Sequence, residues 1–391
     1  MKKQRILLVI RRLRTGGIEK ATLNLAQGLL AAGHHVHLLL LKGKSELPLP
    51  DGLQLHQYDM DKKVRSRFSG FLLDFLGRVF LRYLIPGSGF IWRGYLNSRE
   101  MNHFITDFEN KYGSLDLILL RGQGVFEILW NFQHQNLWQV VEGPPTSFNQ
   151  YRLAGWYYRK LYQNKQVVTV SAGIWDVLRE QLDKYMIRVA RQVVIHNALP
   201  IEDIRAQAHA EVTDLPEGPF LLHVARLTPV KNQTLLLEAY ASSGLTLPLV
   251  ILGQGGEETK LRQLATSLNI TDRIIFLGLK RNPYAYMARA AAFVLSSRQE
   301  GLGLVLIESL ACGTQAVATD VPGGIREVLI EEQQRLLAEN SIEGLAFKLR
   351  EAVDSPVVVK PEWAERFDSR HIIPQYLQLA DVNASVTEIQ R

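Results

Sequence analysis

A single cysteine, Cys312, stands in a chain of 391 residues. One thiol excludes an internal disulfide and any cysteine-rich metal site, and a chain so poor in cysteine suits a reducing compartment. Long hydrophobic runs are also missing. No stretch approaches the ~18 apolar residues of a membrane span. The basic start Met1–Arg5 leads into an apolar run, Ile6–Ile10, that Arg11 and Arg12 cut short. No secretory leader is therefore expected. The ten histidines show no metal-ligand spacing; His34, His35 and His37 crowd the start of one apolar segment and read as surface residues. No loop holds a paired-aspartate motif for a divalent cation, and no G-x-G-x-x-G fingerprint calls for a dinucleotide.

What is present is ordinary globular composition, 47% hydrophobic and 21% charged, which argues against disorder. The length favours two domains of roughly 150–200 residues. The formal charge of +6 and a pI near 9.2 point to anionic partners. Charge alone leaves nucleic acid, a nucleotide substrate and acidic lipid equally open.

Along the chain, apolar strands alternate with helical segments, the pattern of doubly wound parallel sheets in an α/β fold. A strand over 5–10 precedes the turn Thr15-Gly16-Gly17, a helix to about Leu30 and a second strand over Val36–Leu41. Gly16 and Gly17 thus fall at the carboxyl end of the first strand, where open α/β sheets place ligands. Residues 62–99 differ. Lys62, Lys63, Arg65, Arg67, Arg78, Arg82, Arg93 and Arg99 surround one acid, Asp74, and are interleaved with a stripe from Phe68 to Leu84. That stripe suits either a helix on an anionic membrane surface or an inserted hairpin packed on its parent domain. Further strands over Leu115–Leu120 and Gln139–Val141 deliver Arg121, Gln123 and Glu142 to loops. The polar stretch 200–218 separates the domains, giving 1–205, 206–370 and a tail over 371–391.

The second domain carries the densest chemistry. Phe220–Val224 is a strand, and Arg226 and Lys231 follow it, two cations able to neutralise a diphosphate. Strand Pro248–Gly253 ends in a turn with Gly255, and strand Ile274–Gly278 carries Leu277. Ala290–Leu295 then leads into R-Q-E-G-L-G-L-V-L-I-E-S, from Arg298 to Ser309. This is a strand, a glycine turn and the start of a helix. The first N–H groups of a helix lack intrahelical partners and form the positive end of its dipole. Gly301, Leu302, Gly303 and Leu304 therefore make a phosphate cradle. The flanking carboxylates, Glu300 and Glu308, would accept hydrogen bonds from hydroxyls.

Glu300 and Glu308, with seven residues between them, resemble the E-x7-E signature of retaining GT-B glycosyltransferases of family 4. The likeness continues in order through Arg226–Lys231, Gln254–Glu257 and Pro322–Glu327, and more loosely in Gly16-Gly17-Ile18-Glu19-Lys20. It implies two Rossmann-like domains facing a cleft, with the last helix crossing back to the first. It also implies a nucleotide-sugar donor, with UDP the favoured nucleotide, and a saccharide or lipid-linked acceptor of bacterial lipopolysaccharide or surface polysaccharide. Transfer would need no divalent metal or other cofactor. Glu300 would meet the transferred sugar, Glu308 the ribose, and Arg226, Lys231, Gly16, Gly17, Gly253, Gly255, Leu277 and Gly301–Leu304 the rest of the donor. Glu142 stands where related enzymes often carry histidine, so no catalytic histidine is assigned. It either orients an acceptor hydroxyl, with Arg121 and Gln123, or caps a loop. The expected location is cytoplasmic, peripheral to the membrane. An epimerase or phosphorylase of the same fold, a silent scaffold, and a nucleic-acid binder using the 62–99 patch are the rival readings; the patch has no RNA-binding motif, and no nucleic acid is expected.

Overall fold

The computed structural model describes residues 3–14, 16–66, 88–145, 149 and 153–389. Residues 67–87, which hold the whole stripe from Phe68 to Leu84 with Arg67, Arg78 and Arg82, lie outside the described residues. The helices on either side are Met60–Ser66 and Ser88–Tyr112. The chain divides into two units. One comprises 1–170, 175–199 and 369–391; the other comprises 171–174 and 200–368.

The first unit is built on a seven-stranded parallel sheet in the order β3-β2-β1-β4-β5-β6-β7. Its strands are β1 Arg5–Ile10, β2 His35–Leu40, β3 Gln54–Gln57, β4 Leu117–Arg121, β5 Leu137–Val141, β6 Gln166–Thr169 and β7 Arg191–Val194. Ile6, Leu7, Leu8 and Val9 are fully buried, and so are Leu117–Leu120. Strands covered on both faces read as unbroken apolar runs rather than alternating ones, which is why they were visible in sequence. The last helix, Ser369–Ile389, belongs to this unit, and its Ile373 packs against Gly28 of the helix Gly17–Ala31.

The second unit holds a six-stranded parallel sheet in the order β10-β9-β8-β11-β12-β13. Its strands are β8 Leu221–Val224, β9 Leu249–Leu252, β10 Ile274–Gly278, β11 Ala292–Leu295, β12 Ala316–Thr319 and β13 Leu337–Ala338. Both sheets reverse their winding direction once, between β1 and β4 and between β8 and β11. The crevice at the carboxyl ends of such a strand pair is where ligands bind in open α/β sheets.

One expectation is corrected. His34 and His37 are buried, and only His35 of that cluster is exposed. His34 Nδ1 accepts from the Gln4 N–H at 3.1 Å, while His37 Nδ1 lies 3.0 Å from His56 Nε2. Phe108 and Tyr112 cover the His37–His56 pair with their rings. Burial disfavours the imidazolium, so His37 is pushed down to about 4 and His56 and His34 shift the same way. In the second unit, buried His223 is likewise lowered to about 4.

These histidines fix a sign. Between about pH 6.5 and pH 4 the unfolded chain binds protons that the folded chain refuses, so acid favours unfolding across that window. Urea midpoints measured at pH 7.5, 6 and 5 should therefore fall steadily; a flat profile would contradict the buried, neutral histidines.

Candidate active site

In the second unit, the loops that follow β8 and β11 meet at the winding reversal. Ser296 Oγ donates to the Lys231 carbonyl at 3.0 Å, and the Arg298 N–H donates to the Val230 carbonyl at 2.9 Å. These bonds place Lys231 Nζ 2.5 Å from Glu300 Oε1, and Ser297 Oγ donates to the same oxygen at 2.6 Å. The pair is mostly buried, with 20% of the lysine side chain and 11% of the glutamate side chain exposed. Oε2 of Glu300 takes no part in either contact. Arg226, five residues before Lys231, extends an exposed side chain from the same loop.

Behind Glu300 the chain turns into the helix Leu304–Ala311. Gly303 caps it with φ 84°, a left-handed conformation that costs other residues roughly 1–2 kcal/mol. Leu302 is buried, and the Gly301 carbonyl accepts from the Gly324 N–H at 2.8 Å and from Ser171 Oγ at 2.9 Å. Glu308 lies in the second turn of this helix and is only 4% exposed. The strand–turn–helix geometry expected for Arg298–Ser309 is thus present.

Gly253 and Gly255 have a structural reason to be glycine. A Cβ on Gly253, whose φ is 142°, would fall 1.9 Å from the Ala225 carbonyl oxygen, and one on Gly255 would fall 2.1 Å from that of Leu227. The loop bearing Arg226 is therefore nested directly on the turn after β9. Leu277 is half-buried on β10, the edge strand.

Residues outside the sequence motifs hold this loop. His223 Nδ1 lies 2.9 Å from the Val294 carbonyl and its Nε2 lies 3.1 Å from Gln233 Nε2. The geometry fixes a neutral ring that donates from Nδ1 to the carbonyl and accepts at Nε2. Gln233 Nε2 also donates to the Arg226 carbonyl at 2.9 Å. A chain of buried polar groups so runs from β11 through His223 and Gln233 to the Arg226 backbone. Neither residue belongs to a recognisable motif, although a histidine inside an apolar strand and a glutamine at a helix start were the available signals.

The residues expected on the acceptor side lie in the first unit. Arg121, at the end of β4, has no exposed side-chain surface and pairs with Glu142 through Nε at 2.7 Å and through Nη2. Nη2 also donates to Asn197 Oδ1 at 2.7 Å, and Asn197 Nδ2 donates to the other Glu142 oxygen at 3.2 Å. Both members of the pair are occupied with each other. Together with Asn197 they stitch the strand ends. Gln123 opens the helix Gln123–Ile128, and its Nε2 is buried without a hydrogen-bond partner among the described residues; in the same helix the Glu127 carboxyl is raised mainly by burial. Gly16 caps the helix Gly17–Ala31 in an extended conformation, and the space beside Gly17 is open.

Among the described residues no group of three or more His, Cys, Asp or Glu is gathered as for a metal ion. No helix among them is long and apolar enough to cross a membrane.

The relay is testable. Gln233→Leu leaves buried His223 Nε2 without its partner, at a cost of about 1–3 kcal/mol, and leaves the Arg226 carbonyl with the Thr228 N–H alone, at 3.0 Å. The urea midpoint should drop accordingly; an unchanged midpoint would contradict the relay.

Comparison with known proteins gives a family match that falls almost wholly on the second unit. Residues 205–371 match the family model described as Glycosyl transferases group 1. The chain is 36% identical over 171 residues to the N-acetylgalactosamine-N,N'-diacetylbacillosaminyl-diphospho-undecaprenol 4-alpha-N-acetylgalactosaminyltransferase of Campylobacter jejuni, covering 44% of this chain and 46% of that protein. It is 33% identical over 133 residues to the lipopolysaccharide core biosynthesis glycosyltransferase LpsE of Rhizobium meliloti, covering 33% and 38%. The chain thus spans less than half the length of these curated relatives. The solved structure of Anabaena HepE in complex with UDP-glucose superposes with a TM-score of 0.66 at 16% identity, covering 98% of this chain and 99% of that one. The chain has two Rossmann-like α/β domains of the GT-B fold, and residues 205–371 are similar in sequence to the group 1 glycosyl transferases.

Proposed function

We propose that this protein is a retaining glycosyltransferase of the family 4 type. It moves a sugar from a nucleotide diphosphate sugar, UDP-linked by preference, to a saccharide or lipid-linked saccharide of a cell-surface polysaccharide. The observation that carries this reading is the Lys231–Glu300 contact, made by two strand-end loops ahead of a glycine-capped helix. The family match over 205–371, the two curated relatives and the UDP-glucose complex of HepE support it. The lipid-linked acceptor in the name of the Campylobacter jejuni relative supports an acceptor of that kind and work beside a membrane.

In this reading the donor diphosphate takes up the positive groups. Lys231 shifts part of its charge from Glu300 to a phosphate oxygen, Arg226 adds a guanidinium fork, and the first N–H groups of the helix Leu304–Ala311 close the cradle. These groups are fixed before reaction, so they stabilise the charge that grows on the leaving phosphate more than they stabilise the bound donor. Glu300 keeps Oε2 for a hydroxyl of the transferred sugar, and Glu308 receives the ribose. The acceptor hydroxyl attacks the anomeric carbon from the face that the diphosphate leaves. The carbon–phosphate-oxygen bond breaks as the new glycosidic bond forms, and the departing phosphate takes the hydroxyl proton. No metal ion enters any step.

Glu300→Ala should fold, by circular dichroism and thermal melting, and lose transfer from UDP-sugars; near-normal turnover would discard the assignment. Lys231→Ala should lower kcat by about 10²–10³-fold, the scale of a lost oxyanion donor. Chelation with EDTA should leave the rate unchanged, and NMR of the product should show the donor's anomeric configuration. A metal-dependent rate or an inverted product would overturn those parts of the mechanism.

A further inference from the structure

A second concentration of charge lies on the first unit, at the carboxyl edge of its sheet. Among the described residues, Lys42, Asp59, Asp61, Lys62, Arg65 and Arg93 line a pocket of about 300 Å³. Lys42 comes from the loop after β2 and Asp59 from the loop after β3. Helix Met60–Ser66 supplies Asp61, Lys62 and Arg65, and helix Ser88–Tyr112 supplies Arg93.

Four cations here face two carboxylates. Asp61 is shared, with Lys42 Nζ at 3.5 Å and Arg93 Nη2 at 3.7 Å. Both separations exceed the ~2.7–2.9 Å of a strong charge-assisted hydrogen bond. Asp59 Oδ1 is turned to the Lys62 backbone N–H at 3.0 Å, helping to hold the helix start. Two carboxylates so engaged leave the positive charge in excess. The side chains of Lys42 and Arg93 remain 40% and 43% exposed, open to a ligand. A set of ammonium and guanidinium groups around a small concavity fits a phosphate dianion, with the guanidinium fork matching two of its oxygens. The pocket also sits at the strand ends where a parallel sheet presents its loops to ligands.

We propose that this pocket binds a phosphoryl group, a phosphate monoester or diphosphate.

Titration calorimetry of the full chain with inorganic pyrophosphate, in the presence of saturating UDP, tests the site. The double variant Lys62→Gln/Arg93→Gln should keep its fold and its UDP affinity while pyrophosphate binding weakens at least tenfold. Pyrophosphate binding unchanged in that variant overturns the pocket and leaves the donor site standing. UDP binding unaffected by Lys231→Gln overturns the donor site and leaves the pocket standing. Phosphatidylcholine vesicles doped with phosphatidic acid separate the sources. Retention on them that falls in the double variant assigns a lipid-borne phosphate, and pyrophosphate binding without such retention assigns a soluble one.

Discussion

Lys231 and Glu300 are contributed by loops nearly seventy positions apart, and their contact at 2.5 Å is the constraint around which the second unit's strand ends are arranged. A lysine and a glutamate this far withdrawn from water need each other, because removing either partner leaves a charge with poor solvation. That dependence makes the pair a useful reagent holder. An anion entering beside it can take over the lysine, and the glutamate is then free to receive a hydroxyl. The same two groups that hold the loops together are the groups that a sugar nucleotide would divide between its phosphate and its sugar.

The surrounding backbone is packed to keep that pair in place. The turn after β9 touches the Arg226 loop without room for a Cβ at Gly253, and a Cβ on Gly323 would fall equally close, 1.9 Å, to the Glu300 carbonyl oxygen. Ser171, which caps its own helix by accepting from the Ile174 N–H, also bonds the Gly301 carbonyl. Glu327 accepts from the N–H groups of Ala172 and Gly173 at 3.1 and 3.0 Å. Carbonyls, glycines and one carboxylate thus interlock behind the site. A preorganised array of this kind needs little rearrangement when charge develops on a leaving group.

Much of this was legible because it is local. Buried parallel strands show themselves as apolar runs, and the turn of Glu300–Leu304 declares itself through Gly301 and Gly303. What stayed hidden depends on partners distant in sequence. Ser297 reads as the end of a strand until Lys231 and Glu300 are brought beside it. His223 and Gln233 look unremarkable until the fold places Gln233 between the His223 ring and the Arg226 carbonyl. His37 looks exposed at a strand start, yet β3 and the helix Ser88–Tyr112 cover it. Arg121 and Glu142 look like loop residues awaiting a ligand, and only the pairing of β4 with β5 shows that each satisfies the other. Lys42 and Arg93 belong to separate elements, so no spacing along the chain announces their common pocket.

The central claim is that a nucleotide diphosphate sits at the winding reversal of the second sheet. A crystal structure with UDP bound tests it most directly. The account predicts a phosphate oxygen within hydrogen-bond reach of Lys231 Nζ and of the N–H groups that open the helix Leu304–Ala311, with the ribose against Glu308. A diphosphate bound elsewhere, with the Lys231–Glu300 contact undisturbed, would contradict it.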